Sequence, residues 1–480
     1  MVDRKRAWIL TKNFHLTVRR VAFRQDRSAL LDCDWIVTSL LREAPEGRDA
    51  PASSPRATFR QTVFGGRTIL MTNICTLFYR SNRPLRAVTA SAAFIAASFA
   101  ASGAVTWKNI QFGGSFSQGY LESTENNYPV DTEDGTFEFR EMAVNASTTV
   151  GTHLRLGAQV FAQTLGKYGD DKPILDWALV DYNFRPEIGV RLGRLKFPRS
   201  LYSDVLDVDV VRPFIFLPQS IYDSRLRDFQ ASFDGGMLYG SVSVGQSSFD
   251  YKVFYGDIPM KTDSGVADFF NTSGLFANPP GVQHLGMDSV GGASLLWNTP
   301  LAGLRFGLTY SALNHLIASG PFIAMPVLTS QVELRKMEYE GGSVEYTNGP
   351  WTFAGEFLIG SGSSVLTLPS IIAPPTASKY GTKSYYGSVS RRLGAKFEVG
   401  TYYTETWNTY PGATIPLSDR SRRDWTFAVR YDLNDHVLFK IEVHAIDGTM
   451  DMFNVPGISN PPGTLSDSMT LFAAKTTLSF

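Results

Sequence analysis

The sequence predicts an all-β chain, a transmembrane antiparallel β-barrel of about 16 strands, and three observations carry that prediction. The final stretch, 471–480, alternates Phe472, Ala474, Thr476, Leu478 and Phe480 with Leu471, Ala473, Lys475, Thr477 and Ser479. The same two-residue period, which puts successive side chains on opposite faces of a strand, returns throughout 105–480. Between the alternating segments, short and long connections follow one another in turn, as an up-and-down barrel requires.

The region before this repeat is a different kind of polypeptide. Residues 1–104 hold 16 of the 45 basic and 7 of the 45 acidic residues, a formal +9, and leave 29 basic against 38 acidic in the remainder, a formal −9. The Ala-rich apolar run 87–104 follows Arg80, Arg83 and Arg86 and ends in Ser102-Gly103-Ala104. Basic residues, an apolar stretch and a small-residue end are the marks of a secretory signal. Residues 71–104 are therefore expected to be a signal peptide starting at Met71, and 1–70 a non-native or untranslated leader absent from the mature protein; the alternative is a soluble N-terminal domain followed by a transmembrane helix. Cys33 and Cys75 both precede Ala104. A chain beginning beyond it holds no cysteine, hence no disulfide and no thiolate metal site. Beyond Ala104 no apolar run reaches membrane-helix length, so any membrane crossing is by strands.

Each strand is read by its phase, apolar residues toward lipid and the others toward the lumen. Leu154, Leu156, Ala158, Val160 and Ala162 leave Arg155, Gly157, Gln159, Phe161 and Gln163 inside. Leu304, Phe306, Leu308, Tyr310 and Ala312 alternate with Arg305, Gly307, Thr309 and Ser311. Trp351, Phe353, Phe357 and Ile359 set Glu356 inward, Phe397, Val399 and Tyr403 set Lys396 and Glu398 inward, and Trp425, Phe427, Val429 and Tyr431 set Arg430 inward. Val437, Phe439, Ile441 and Val443 put Lys440, Glu442 and His444 together on the inner face, where they read as a salt-bridge row. Phase slips are expected at Gly193, which would place Arg191, Arg194 and Lys196 inside, and near Gly341-Gly342. Residues 227–245 read as one strand with a Gly-containing bulge at Asp234-Gly235-Gly236.

Short connections are expected near Val150-Gly151, Arg185-Pro186, 245–248, 299–302, 348–350, 392–394 and 433–435. Long ones are expected at 121–135, 166–173, 199–225, 258–288, 314–330, 362–381, 408–421 and 449–466, rich in Pro, Gly, Ser and Asp. Seven short and eight long connections separate 16 strands. A barrel of that size is wide enough for a water-filled lumen.

With these features together, and with a terminal strand ending on Phe480, residues 105–480 resemble the 16-strand bacterial outer-membrane porin superfamily, general and phosphate-type porins included. The resemblance implies a bacterial outer-membrane location among lipid and lipopolysaccharide, a homotrimer, assembly machinery that reads Phe480, and a third long loop, 199–225, that folds inward and narrows the pore. Passive diffusion of small hydrophilic solutes is the expected function. The alternatives are a channel selective for small charged ions, an adhesive or structural barrel, and a barrel hydrolase.

A constriction that sorts solutes by charge needs acids on the loop opposite bases on the wall. Asp204, Asp207 and Asp209 are the candidate acids, and Arg140, Arg155, Arg191, Arg194 and Lys196 the candidate bases. Arg225, Arg227 and Asp228 read as ion-pair anchors where the loop rejoins its strand. No cofactor or metal site is implied. The sequence has no His-Glu-x-x-His pair, no Gly-x-Ser-x-Gly elbow and no Gly-rich phosphate loop. The acidic balance beyond Ala104, without a basic stripe, does not point to nucleic acid.

Overall fold

A computed structural model of the chain describes residues 105–107, 109–409 and 417–480. The expected leader and signal segments lie outside the described residues, as do 410–416.

Sixteen strands form the barrel. They are β1 (Ile110–Ser123), β2 (Phe139–Val150), β3 (Leu154–Leu165), β4 (Ile174–Arg185), β5 (Ile188–Lys196), β6 (Ser232–Val244), β7 (Ser247–Asp257) and β8 (Ser289–Asn298). Then come β9 (Leu304–Phe322), β10 (Met325–Asn348), β11 (Trp351–Thr367), β12 (Thr376–Leu393), β13 (Phe397–Thr409), β14 (Ser421–Asp432), β15 (Val437–Asp447) and β16 (Ser468–Ser479). Each pairs antiparallel with the next, and β16 pairs with β1 from Leu471 opposite Ser123 to Ser479 opposite Ser115. The sheet has no free edge, the condition for strands to cross a hydrocarbon layer. Two short pieces, Val105–Trp107 and His284–Gly286, pair with β1 and β9 respectively.

Burial is inverted relative to a soluble protein. On β15, Ile441 is 52% exposed while its neighbours Lys440 and Glu442 are 1% and 0% exposed. The outward phase of the other strands is likewise apolar and open, as at Val144, Leu192, Leu308, Phe353 and Phe427. Lipid replaces water on that face, so exposure of large apolar side chains is stabilising there. Outward aromatics stack near both ends of the strands: Trp351 on Phe353 and Phe397 on Tyr431 at the short-turn end, Tyr385 against Trp407 and Tyr403 against Trp425 at the other. These are the girdles of the two interfaces. This closed 16-strand barrel points to the bacterial outer membrane.

All seven short connections fall where the turn residues put them. The long ones differ at two places, and at one of them the expected loop 362–381 shortens to 368–375 because β11 and β12 stay paired out to Leu366 opposite Thr376. At the other, the expected loop 314–330 is a hairpin, with β9 and β10 paired out to a turn at Ile323-Ala324. The cause is a matched irregularity: His315, at φ 56°, and Arg335 both drop out of the ladder. Beyond them the phase changes, Leu316 and Ala318 turning inward, so the alternation breaks without the strand ending. The slip expected at Gly341-Gly342 is therefore at Arg335. At Gly193 the ladder runs without a shift, and the irregularities lie in β4, at Asp176 and near Phe184. β6 passes through Asp234-Gly235-Gly236 as one strand in unbroken register on both sides, without the expected bulge.

The long connections interlock. Asn127 and Asn460 exchange hydrogen bonds of 3.0 and 2.9 Å, joining 124–138 to 448–467. In 258–288 a short helix, α1 (Gly265–Thr272), is capped by Ser264, whose Oγ accepts from the Ala267 N–H. Asp268 of α1 accepts from Tyr168 Oη at 3.0 Å and pairs with Lys167 at 2.8 Å, tying it to 166–173. Apolar side chains from these connections pack on inward residues, Met452, Phe453 and Ile458 on Leu121, Phe139 and Leu471, and Phe270 and Phe276 among Leu195, Phe233 and Phe254.

Closure ends on Phe480, whose N–H and C=O exchange bonds of 3.0 and 3.1 Å with Gly114. A Cβ at Gly114 would come within 2.6 Å of the Phe480 ring, so only glycine leaves room for it. Deleting Phe480, or substituting Gly114→Val, is expected to lower the yield of folded barrel, read as the heat-modifiable band in gel electrophoresis of boiled and unboiled samples. A wild-type yield for both variants would refute this role of the seam.

Candidate pore site

The connection between β5 and β6, residues 197–231, is the longest between strands, and its contacts are made with lumen-facing side chains. Three anchors hold it. At its root, Asp207 takes Lys196 Nζ at 2.6 Å and Arg227 Nε at 2.8 Å. Arg227 and Lys196 both reach Asp176, at 2.6 and 2.7 Å, and Arg227 stacks 3.8 Å over the Phe161 ring. The extra residue that Asp176 makes in β4 is what turns its carboxylate into this cluster.

The second anchor is on β14–β16. Asp209 accepts from Lys440 Nζ at 2.8 Å and Thr477 Oγ1 at 2.6 Å, with Lys475 Nζ at 3.6 Å. Lys440 donates also to the carbonyls of Asp209 and Phe214, at 2.7 and 3.0 Å. Glu442 accepts the backbone N–H groups of Ile215 and Phe216, at 2.6 and 3.1 Å. His444 lies between Glu442, at 2.9 Å, and Asp424, at 2.8 Å. The row read from the sequence is thus present, and its partners are on the connection. Arg430 adds a bond of 2.5 Å to the carbonyl of Val210.

The third anchor is Glu356 of β11, which accepts from the Leu201 N–H at 2.8 Å, from Tyr386 Oη at 2.7 Å and from Tyr222 Oη. Beside it Leu217, Ile221 and Tyr222 pack on Ala354 and Leu358, and Tyr202 Oη donates to Glu345 at 3.0 Å.

Of the three candidate acids, Asp207 and Asp209 are thus enclosed in ion pairs, their side chains 7% and 5% exposed. Asp204 is open, 57% exposed, and paired with Lys252 of β7. The five candidate bases divide. Lys196 joins the root cluster, and Arg191 pairs with Asp181 at 3.0 Å and lies over Tyr239. Arg194 shares the phase of the exposed Leu192 and faces Asp234 at 3.5 Å, and Arg140 shares the phase of the exposed Val144 and pairs with Asp171. These two are not brought to the lumen cluster. Arg155 is exposed, one residue from the start of β3 at the short-turn end. The anchor residues behave as read: Arg225 is enclosed with Asp223 at 2.6 Å, Arg227 with Asp207, and Asp228 lies 3.4 Å from Lys261. Sequence reasoning missed Lys252, Asp176 and the anchoring role of Glu356, because a strand's phase gives the direction of a side chain and not its partner on a distant connection.

Burial alone would push the Asp209 carboxyl up. The Lys440, Lys475 and Arg212 charges outweigh that and hold it well below the usual carboxylate range. Asp207, between burial and the Arg227 and Lys196 charges, is likewise held low.

No family model matches this chain, and no curated protein matches it. Solved structures do. OmpT, an outer membrane protein of Vibrio cholerae folded in vitro, aligns over 79% of this chain and 100% of its own, at 14% identity and a TM-score of 0.50. The fold is that of an outer-membrane β-barrel. OmpF of Salmonella typhi, solved with daunomycin, matches over 77% of this chain and 97% of its own, at 12% identity and a TM-score of 0.48. The anion-selective porin of Comamonas acidovorans matches over 77% and 99%, at 12% identity and 0.44. At these identities the likeness is one of fold, and the part of the sequence reading that it bears out is the outer-membrane barrel.

Removing the Asp209 charge leaves Lys440 buried with carbonyl partners only. Asp209→Asn is therefore expected to cost about 3–5 kcal/mol, the usual penalty for an orphaned buried charge, measured by denaturant unfolding of the detergent-solubilised barrel. Because both carboxyls titrate below their unfolded value of about 4, their contribution is complete above that pH and is lost as pH falls through the lower, folded value. Proteolysis of 197–231 is expected to stay constant from about pH 7 to about pH 4 and to rise as pH falls below that window. A rise near neutrality would contradict this.

Proposed function

We propose that the chain is a passive channel of the bacterial outer membrane, admitting small hydrophilic solutes along their gradient, with 197–231 narrowing the lumen. The observation that carries this reading is the bonding of that segment to side chains on opposite parts of the wall, Asp176 (through Arg227) and Lys196 on one side and Lys440, Glu442 and Glu356 on the other. A segment tied this way crosses the lumen instead of standing above it. A trimer is the proposed assembly, and the Phe480 strand the element read by the insertion machinery.

Selectivity in this reading is set where charge meets water. Asp207 and Asp209 are neutralised by their partners, so their part is to fix the segment. Asp204 and Lys252 form the accessible pair, and Arg305 and Glu345, paired at 2.8 Å, lie on the neighbouring wall. Acids on the loop facing bases on the wall produce the transverse field that orients dipolar solutes.

The enzymatic alternative is less well supported. Thr426, His444 and Asp424 lie within 3.0 Å of one another, but hydroxyl and carboxylate both approach the same ring nitrogen, Nδ1. A relay needs the nucleophile on one nitrogen and the acid on the other. All three groups are also buried under Phe216 and Tyr402.

The test is single-channel recording of the barrel beginning at Val105 in a planar bilayer under a salt gradient. Stable conductance steps are expected, and Asp204→Asn is expected to move the reversal potential toward anions, Lys252→Gln toward cations. A folded barrel that stays silent would refute the channel reading. Steps with unchanged reversal potentials in both variants would refute the charge assignment alone.

A further inference from the structure

At the long-connection end of the barrel, the connecting segments enclose a cavity that neither the closure of the sheet nor the anchoring of 197–231 uses. It lies between the 166–173 connection, the stretch 261–271 that includes most of α1, and the end of 197–231 where it returns to β6. Its volume is about 520 Å³. Ligand pockets typically hold roughly 300–1,000 Å³.

The floor of this cavity is fixed. Tyr168, Arg225, Ser264 and Asp268 are all buried. Lys167 and Tyr168 both reach Asp268, at 2.8 and 3.0 Å. Arg225 is taken up by Asp223 and by the carbonyl of Asp451, each at 2.6 Å. Asn271 accepts from the Val282 N–H at 2.8 Å, which sets the far end of α1. Charge on the floor is therefore balanced within the protein, and its walls keep their spacing without a ligand.

The rim is different. One wall brings Glu138, Asp170 and Lys172, and the other Asp228, Lys261 and Asp263. Lys172 lies 3.5 Å from Asp170 and Lys261 lies 3.4 Å from Asp228, in side chains open to solvent. Glu138 and Asp263 are exposed and have no ion-pair partner among the described residues. Exposed pairs of this kind contribute little, so giving them up to a solute costs little. Each wall holds two carboxylates and one ammonium, a formal −1 on either side of the cavity. A bare anion is opposed by four carboxylates, and a simple cation leaves both lysines unmatched. The pattern fits a solute that brings one cation to each wall and a carboxylate to a lysine.

We propose that this cavity binds a dibasic amino acid, its two cationic groups on the carboxylates of the two walls and its own carboxylate on Lys172 or Lys261. The site would gather this solute ahead of the constriction, a role that rests on the channel reading, whereas the binding itself does not require conduction.

The experiment titrates the full chain, purified and embedded in nanodiscs, with L-arginine, and reads binding by saturation-transfer NMR. Wild type is expected to bind L-arginine about 5-fold more tightly than L-citrulline, whose side chain is neutral, and about 5-fold more tightly than agmatine, which lacks the carboxylate. D228N/D263N on one wall and E138Q/D170N on the other are each expected to lose about 10-fold in arginine affinity. D419N, an exposed aspartate outside the cavity, should bind as wild type does. Heat modifiability confirms that each variant is folded. Equal binding of citrulline or agmatine, unchanged affinity in either double variant, or the same loss in D419N would each overturn the proposal. Channel currents are recorded separately. A silent barrel that binds arginine selectively would overturn the channel reading and keep the site, and a conducting barrel that does not bind it would overturn the site alone.

Discussion

Everything in this molecule depends on the pairing of β16 with β1. Until that seam forms, two edge strands present unpaired N–H and C=O groups that hydrocarbon cannot satisfy, each at a cost of several kcal/mol. Once it forms, the backbone is complete and the side chains are released to an unusual division of labour. The outer phase can be wholly apolar and open, and the inner phase can be polar because water and the connecting segments supply its partners. The Gly114 and Phe480 contact is the last point of that seam.

The second consequence of closure is that the interior is assembled from charges. Lys440, Glu442, His444, Arg430 and Glu356 all point inward among apolar side chains such as Phe214, Phe216 and Tyr402, and each is matched by an atom of 197–231 or by another wall residue. Such pairs are costly to desolvate, and they do little for net stability compared with an apolar core. What they supply here is position. Asp209 has two lysines, a threonine and the backbone around it, so the segment has one place to sit.

How much of this was legible in the sequence follows from what periodicity can encode. Phase told inside from outside for Ile441 and Lys440, and for Phe357 and Glu356, because lipid tolerates only one of each pair. Turn chemistry located all seven short connections. Periodicity failed where two strands are irregular together: His315 and Arg335 leave the ladder as a matched pair, and a paired hairpin then looks like a loop. It failed also for Arg140 and Arg194, whose ion pairs with Asp171 and Asp234 let charged side chains sit on the outward phase near the strand ends. The partners of the inner charges, Asp209 with Lys440 and Asp176 with Arg227, are more than 50 positions apart in the chain and share no local pattern.

The rim of the barrel is uneven. β5 has 9 residues and β10 has 24, so the wall on one side stops near the bilayer surface while the other continues well beyond it. That projecting part, β9 to β12 with its tip at Ile323-Ala324, is a water-bathed sheet standing on a lipid-bathed one. Its lower half takes its stability from an apolar solvent and its upper half must find it by ordinary cross-strand packing, so one continuous ladder obeys two folding regimes. A change of membrane thickness or lipid would be felt below His315 and Arg335, and the sheet above them would remain as it is.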